Sequence, residues 1–302
     1  MQLQPPMMPR PDLADLGVGY RRIPVLAIGR DLYCDTRLIL QKLEQRFPHG
    51  ALGAQDGEGK ALEKLLEAWT VDGGVFVRGT QLIPPDLPFP SDPKFIKDRQ
   101  EFFHGRSMKK EDVLGLRGEA LVHIMQAFDL LETTLLADGR EWIRNTKNPS
   151  LADIHAIWPL DWVVGLQGAL DQKRVSEKQY PRVFAWMARF RKVLKAARAE
   201  MRQPITLTGA EVLTGLQKVD FAEPEGAVDD MDPLELQRGQ DVLIWPVDAG
   251  STGRDSGKLV VLNKEEVVLQ RKTAENQHDI RLHFPRTNFR IALAESFHDP
   301  KL

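Results

Sequence analysis

Apolar positions change their period three times along the chain. Between Ile23 and Cys34 they fall into two short β-type runs around Gly29, Arg30 and Asp31, which predicts a hairpin. Leu38, Ile39, Leu43 and Phe47 then repeat at helical spacing with Pro48 beyond, which predicts a helix over 36–46. Residues 49–58 are glycine-rich and read as a linker. From Lys60 to about Leu216 the period is helical throughout. Leu62, Leu65, Leu66 and Trp69 form one stripe, Phe95 to Phe103 another, and Leu121, Ile124, Met125, Phe128, Leu131 and Leu135 a third. A further helix over 180–198 turns Val183, Phe184, Trp186, Met187, Phe190, Val193 and Leu194 to one face. Pro159 marks a kink, or a place where the helical ladder is already open. Thr208 and Glu211 have the spacing of a capping box for a last short helix.

After about Ala222 the period becomes two. The acidic stretch from Glu223 to Pro233 reads as a linker, and 241–247, 258–263, 266–271, 280–284 and 289–293 are short strand candidates. Asn263, Lys264 and Glu265 make a plausible turn between two of them. The first 22 residues carry Pro5, Pro6, Pro9 and Pro11 and predict an extended lead-in with at most one helical turn near Asp12–Leu16. The fold class is α+β in three parts: a hairpin-and-helix domain over 1–50, a helical domain over 59–222, and a small β-barrel or sandwich over 234–295.

Composition narrows the function classes. A chain of 302 residues with 42% hydrophobic residues supports two domains and a small third. The net charge of −2 gives the whole chain no electrostatic case for nucleic acid or an anionic membrane. One cysteine, Cys34, excludes an internal disulfide and a thiolate-rich zinc site, which fits a reducing compartment. No apolar run reaches the roughly 18 residues of a membrane span, and the N-terminus lacks the layout of a signal peptide. Asn148 is followed by Pro149, which disqualifies Ser150 as part of a glycosylation acceptor. The ending Pro300, Lys301, Leu302 only echoes a peroxisomal address.

The sequence from Ile23 to Leu43 carries the candidate chemistry. An X-Pro-X-Leu segment, Ile23-Pro24-Val25-Leu26, enters the hairpin, and Asp35-Thr36 opens the helix after it. These residues resemble the second half of the thioredoxin-like domain of the cytosolic glutathione S-transferases. The resemblance implies a cis peptide at Pro24, with the main chain of Ile23 pairing with the cysteinyl residue of glutathione as one added strand. It implies that Thr36 binds the γ-glutamyl carboxylate at a helix N-terminus while Asp35 faces the neighbouring ammonium. Read without the family, Pro24 begins an edge strand and Asp35-Thr36 is an ordinary N-cap. Ser150 and Asp153, after Gly139 and Trp142, resemble the N-capping box of that family's helical domain, a folding device. The resemblance covers about 20–215, and the β-strands beyond are similar only to extended fungal members.

The family's thiolate-stabilising residue lies in a strand–helix–strand unit ahead of the X-Pro-X-Leu segment. The 22 residues before Ile23 are too few and too proline-rich for that unit, so the expectation is an N-terminally truncated domain whose hairpin keeps an open edge. Tyr20 lies at the wrong topological place, Tyr33 and Cys34 lie in the returning strand, and a lone strand cysteine is usually a small core residue. Two functions therefore stand. One is an enzyme of the transferase class, using glutathione as co-substrate to conjugate or reduce a small electrophile, cytoplasmic and compatible with a homodimer. The other is a non-catalytic binding or assembly module on the same fold.

Other features carry less. The glycine spacing from Gly250 to Lys258 is wrong for a phosphate loop, and His104, His123 and His155 have no partner at metal-ligand spacing. Arg189, Arg191, Lys192, Lys195, Arg198 and Arg202 form a basic helix face, read as solvated.

Overall fold

A computed structural model describes residues 7–87, 92–107, 109–274 and 278–295, so the ending Pro300, Lys301, Leu302 lies outside the described residues. The elements in order are α1 (Pro11–Asp15), β1 (Val25–Ile28), β2 (Asp31–Cys34), α2 (Thr36–Arg46), α3 (Gly57–Val71), α4 (Val75–Thr80), α5 (Pro93–Phe102), α6 (Lys110–Leu130), α7 (Leu151–Gly165), α8 (Pro181–Glu200), α9 (Gly209–Leu216), β3 (Asp241–Pro246), β4 (Asp255–Leu262), β5 (Glu266–Lys272), β6 (Asp279–Pro285) and β7 (Phe289–Leu293). The α+β class holds. The chain forms two compact units, one of Met1–Arg46, Lys97–Arg106 and Pro204–Leu302, the other of Phe47–Ile96 and Ser107–Gln203.

The first unit departs from the expected three-part layout. Its seven strands make one open sheet in the order β1-β2-β6-β5-β4-β3-β7, not a hairpin domain plus a separate barrel or sandwich. The join is a parallel pairing of β2 with β6, with Asp31 beside Arg281, Leu32 beside Leu282 and Tyr33 beside His283. A lone hairpin buries too little to stand by itself, and here the C-terminal strands support it. β1 stays at the edge, with no strand on its outer side among the described residues.

Side-chain alternation gives this sheet two different faces. Leu32, Cys34, Leu259, Val267, Leu269, Ile280, Leu282 and Phe284 point to one face, where they join Leu13, Leu16, Val18, Tyr20, Leu213 and Leu216 in an apolar core. The other face carries Asp31, Tyr33, Glu266, Arg281 and His283, with Leu38 and Ile39 of α2 packed at Tyr33. The hairpin turns at Gly29, whose φ is +57° and whose missing Cβ would lie 2.3 Å from the Asp220 carbonyl oxygen. Only glycine fits a turn that is both left-handed and this close to a neighbouring chain segment.

The second unit is a helical bundle cored by Ile124, Phe128, Leu131, Leu160, Val163, Val183 and Trp186. Its key polar group is Asp153, fully buried at the start of α7. It accepts hydrogen bonds from the Ser150 main chain (2.8 Å), the Ile143 main chain (2.9 Å) and Trp186 Nε1 (2.9 Å). The Ser150–Asp153 capping box therefore also ties α7 to α8, and α7 runs on through Pro159. Leu131–Leu135 forms a π-helical turn that continues α6 and presents Glu132 to the first amides of α8, Arg182 and Val183. The second capping box, at Thr208 and Glu211, is formed as the spacing predicts. The residues from Arg191 to Glu200 are all exposed, so the basic face of α8 is solvated.

Candidate functional site

Two polar constellations flank the short stretch from Asp31 to Lys42, both within the first unit. The first lies at the open end of the hairpin. Val25 pairs with Cys34, so the register brings Ile23-Pro24 and Asp35-Thr36 to the same end. The Ile23–Pro24 peptide is cis. Ile23 is 46% exposed, and its main-chain groups make no hydrogen bond to another described residue. Thr36 is exposed at the start of α2, and its hydroxyl likewise has no partner among the described residues.

Asp35 caps α2, as the reading without the family has it, and its other contacts differ from what the resemblance implies. Its φ is +71°, a left-handed conformation that Asp tolerates because its short side chain bonds locally. Oδ1 accepts the Arg37 amide at 3.1 Å and so caps α2. Oδ2 accepts Tyr20 Oη at 3.1 Å and Arg22 Nη1 at 3.2 Å. Arg22 is anchored in turn by the Ala249 carbonyl at 2.8 Å and by Asp248, and it lies 5.9 Å from the Tyr20 ring centre. The acid expected to face a ligand ammonium is already held by the chain itself.

Cys34 and Tyr20, the cysteine and the buried phenol near this end, are both held in their protonated forms. Cys34 is wholly buried, and burial, reinforced by Asp255 and Asp35, pushes its thiol pKa well up. Tyr20 is 2% exposed, and burial and then Asp35 raise its pKa well above the ordinary phenol range. Both therefore stay protonated at neutral pH.

The second constellation lies on the polar face of the sheet, and sequence reasoning missed it. Asp31, fully buried, accepts His283 Nε2 at 3.0 Å and the amides of Ala222 (2.6 Å) and Glu223 (3.0 Å). His283 Nδ1 lies 3.1 Å from Glu266 Oε2. Lys42 Nζ bridges Glu223 at 2.8 Å and Glu266 at 2.9 Å, and Tyr33 Oη donates to Glu223 at 2.8 Å. The stretch read as an acidic linker thus supplies a fastening residue, because Glu223 and its amide turn in against β2. A cavity of about 450 Å³ opens beside this group, walled by Glu223, Asp229, Asn263, Glu266 and His283.

The charges in this second group compensate one another. Burial alone would lower the His283 pKa, but its bonds to Asp31 and Glu266 more than offset that and the net shift is upward. Both ring nitrogens face carboxylates, which only the doubly protonated ring satisfies. Burial likewise opposes the charged Lys42, yet Glu223 and Glu266 raise its pKa, while Asp31 and Glu266 are lowered by the same contacts despite burial. Glu223, Glu266 and His283 hold donor atoms within 4.8 Å of one another, a spacing a metal could use. The Lys42 ammonium already sits on both glutamates, so an ion would have to displace it and a His283 proton. The arrangement is an ion-paired clasp joining β2, α2, β5 and β6.

The fold, a helical unit and a unit built on a mixed sheet, is of the glutathione-transferase-like class. A GST-like protein from Pseudomonas syringae is similar at 25% sequence identity and a TM-score of 0.64, over 96% of this chain and 88% of that one. A glutathione transferase homologue from Sulfitobacter with bound glutathione shares 14% identity over 56% of this chain and 76% of its own, at a TM-score of 0.41. A family model described as a domain of unknown function, DUF7962, matches residues 78–199. No curated protein matches the chain in sequence. By its fold, the chain is a member of the glutathione S-transferase superfamily. No helix among the described residues is long and apolar enough to cross a membrane.

Proposed function

We propose that this protein binds glutathione, or a peptide of the same chemistry, at the open end of its hairpin. The Ile23 main chain would pair with the cysteinyl residue as an added strand, Pro24 would shape that edge, and Thr36 would receive the γ-glutamyl carboxylate. Asp35 would hold the helix mouth in place. The single supporting observation is that Ile23 and Thr36 present unused hydrogen-bonding groups at one end of one hairpin, beside a helix start already capped by Asp35.

Binding is preferred here over conjugation or reduction of a small electrophile. Tyr20 and Cys34 are buried, and the Tyr20 hydroxyl already donates to Asp35, so neither is placed to donate to a bound thiolate, and the transferase step needs a donor that is. A reducing, cytoplasmic setting suits both a glutathione ligand and a buried free cysteine. The test is calorimetric titration with S-methylglutathione, alongside turnover of an activated aryl chloride with glutathione. The expected result is saturable binding that weakens in Thr36→Ala, with no turnover above the buffer rate. Absence of binding would overturn the ligand assignment. Turnover would restore the transferase reading and imply a thiolate donor other than Tyr20 and Cys34.

A further inference from the structure

Two features that carry little in the sequence meet in the fold of the first unit. His104 lies two residues past the end of α5, and Ser251 lies in the glycine-bearing turn before β4, 147 positions away. We infer that they form a nucleophilic dyad that opens small carboxylic esters, with Ser251 as the attacking hydroxyl and His104 as its base. Ser251 Oγ and His104 Nδ1 are 3.0 Å apart. On the far side of the ring, Nε2 lies 3.0 Å from the Asp248 carbonyl oxygen, which can only accept. In the neutral ring Nε2 therefore carries the proton, Nδ1 keeps its lone pair, and the Ser251 hydroxyl donates to it. A hydroxyl on a base whose other nitrogen is held by a third group is the arrangement that activates a serine. The inference does not depend on the glutathione reading.

The main chain holds both partners in place before any substrate arrives. The Gly105 amide bonds the Gln100 carbonyl at 2.7 Å, which closes the end of α5 around a left-handed His104 with a φ of +55°. The Gly250 amide bonds the Phe102 carbonyl at 2.7 Å, and the Gly253 amide turns back to the Gly250 carbonyl at 3.0 Å. A Cβ at Gly250, whose φ is +76°, would lie 2.9 Å from the Phe102 ring, so this approach of turn to helix end needs glycine. From the other side, Arg22 donates to the Ala249 carbonyl at 2.8 Å and Arg21 to the Thr252 hydroxyl at 2.7 Å. His104 is exposed and Ser251 half-buried, so a substrate can reach both. The Ser251 and Thr252 amides donate to no other described residue, which leaves two main-chain donors beside the hydroxyl for a developing oxyanion. The charged side chains nearby are engaged with one another: Arg22 with Asp35 and Asp248, and Arg21 and Arg99 with Asp98. Arg106 is exposed to solvent. None of these side chains bonds to His104 or Ser251, so the dyad selects for a reactive acyl carbon and not for substrate charge.

In the reaction, Ser251 Oγ bonds to the acyl carbon while its proton passes to His104 Nδ1. The bond from that carbon to the ester oxygen breaks, and the departing alkoxide takes the proton. Water, giving its proton to the same nitrogen, then releases the carboxylic acid and restores the hydroxyl. The test is covalent trapping of the intact chain with phenylmethanesulfonyl fluoride, in which Oγ bonds to sulfur and fluoride leaves, with peptide mass mapping of the adduct. The expected result is an adduct on Ser251 that urea-unfolded protein does not form. Hydrolysis of p-nitrophenyl acetate should fall roughly tenfold or more in Ser251→Ala. His104→Asn, whose new side chain tolerates the left-handed backbone, should slow trapping roughly tenfold or more. Failure to label Ser251, or labelling that is as fast in unfolded protein, overturns the inference. So does an unchanged trapping rate in a folded His104→Asn variant. Should that variant not fold, the comparison of folded and unfolded chains and the Ser251→Ala rate decide alone.

Discussion

The mouth around Asp35 and the clasp around Asp31 and Lys42 both hold acids and bases and use them in opposite ways. At the clasp, every charge has a partner brought from a distant part of the chain, and Asp31, Lys42 and His283 are buried. At the mouth, one acid is held while the adjacent hydroxyl and main chain stay exposed and unused. Strongly shifted ionisation is a common pointer to active sites. Shifted groups stand in both places, Asp31, Lys42, Glu266 and His283 in the clasp and Tyr20, Arg22 and Cys34 at the mouth, so shifted ionisation alone does not tell the proposed ligand site from the fastener. Incomplete hydrogen bonding is what separates the proposed site from the fastener.

The sharpest way to break that contrast is to remove Asp31. Asp31→Ala leaves His283 and two amides buried without their acceptor, and it should cost about 3–5 kcal/mol in urea denaturation. A cost under about 1 kcal/mol would show that the clasp does not fasten the sheet. Asp255 offers a smaller effect of known sign. It is 1% exposed, and burial pushes its pKa up to about 6 although Gly19 and Arg271 oppose the shift. A carboxyl raised on folding stabilises most below its unfolded value near 4 and loses that contribution as pH rises through about 6. Asp255→Asn should therefore raise stability at pH 8 by about 1–2 kcal/mol and leave it unchanged near pH 4, as read from denaturation midpoints at both pH values.

The clasp has its own pH signature. The raised His283 value means its contribution is complete below about 6.5 and disappears as pH climbs through the folded value. The lowered Asp31 and Glu266 values give stability that is present above about 4 and lost as pH falls through theirs. Stability should form a plateau between these limbs, and His283→Gln should abolish the alkaline decline in a series of melting curves. Thr36→Ala, at the mouth, should change stability by less than about 1 kcal/mol while weakening peptide binding roughly five- to tenfold. The smallest effect expected is that of divalent cations. With Lys42 seated between Glu223 and Glu266, millimolar zinc or manganese should move the melting temperature by less than about 1 °C, and a larger rise would reopen the clasp as a metal centre.

Much of the fold was legible because its signals are local. The hairpin, the helix after Asp35, both capping boxes and the five C-terminal strands each announce themselves within about ten residues. The clasp was not legible, because Asp31, Lys42, Glu223, Glu266 and His283 meet only through the parallel β2–β6 pairing. One signal was available and pointed the wrong way. The alternation Ile280, Arg281, Leu282, His283, Phe284 looks like a strand with one wet face, whereas Arg281 is 9% and His283 2% exposed. Alternation shows which residues share a face and leaves open whether that face is covered. Glu223 was hidden for a related reason: an acidic, proline- and glycine-containing stretch has the composition of a linker even when its first residue is pinned.

The parallel pairing also orders events during synthesis. Asp31 and its partner His283 are 252 positions apart. At roughly 5–20 residues per second on the ribosome, the hairpin waits on the order of ten to fifty seconds for the strand that completes it. Throughout that interval the inner edge of β2 is bare and the acid at its head is uncompensated. A nascent chain stalled before β6 would display an adhesive β-ribbon, which makes this protein a candidate client of ribosome-associated chaperones and makes its last strands a quality checkpoint for its first.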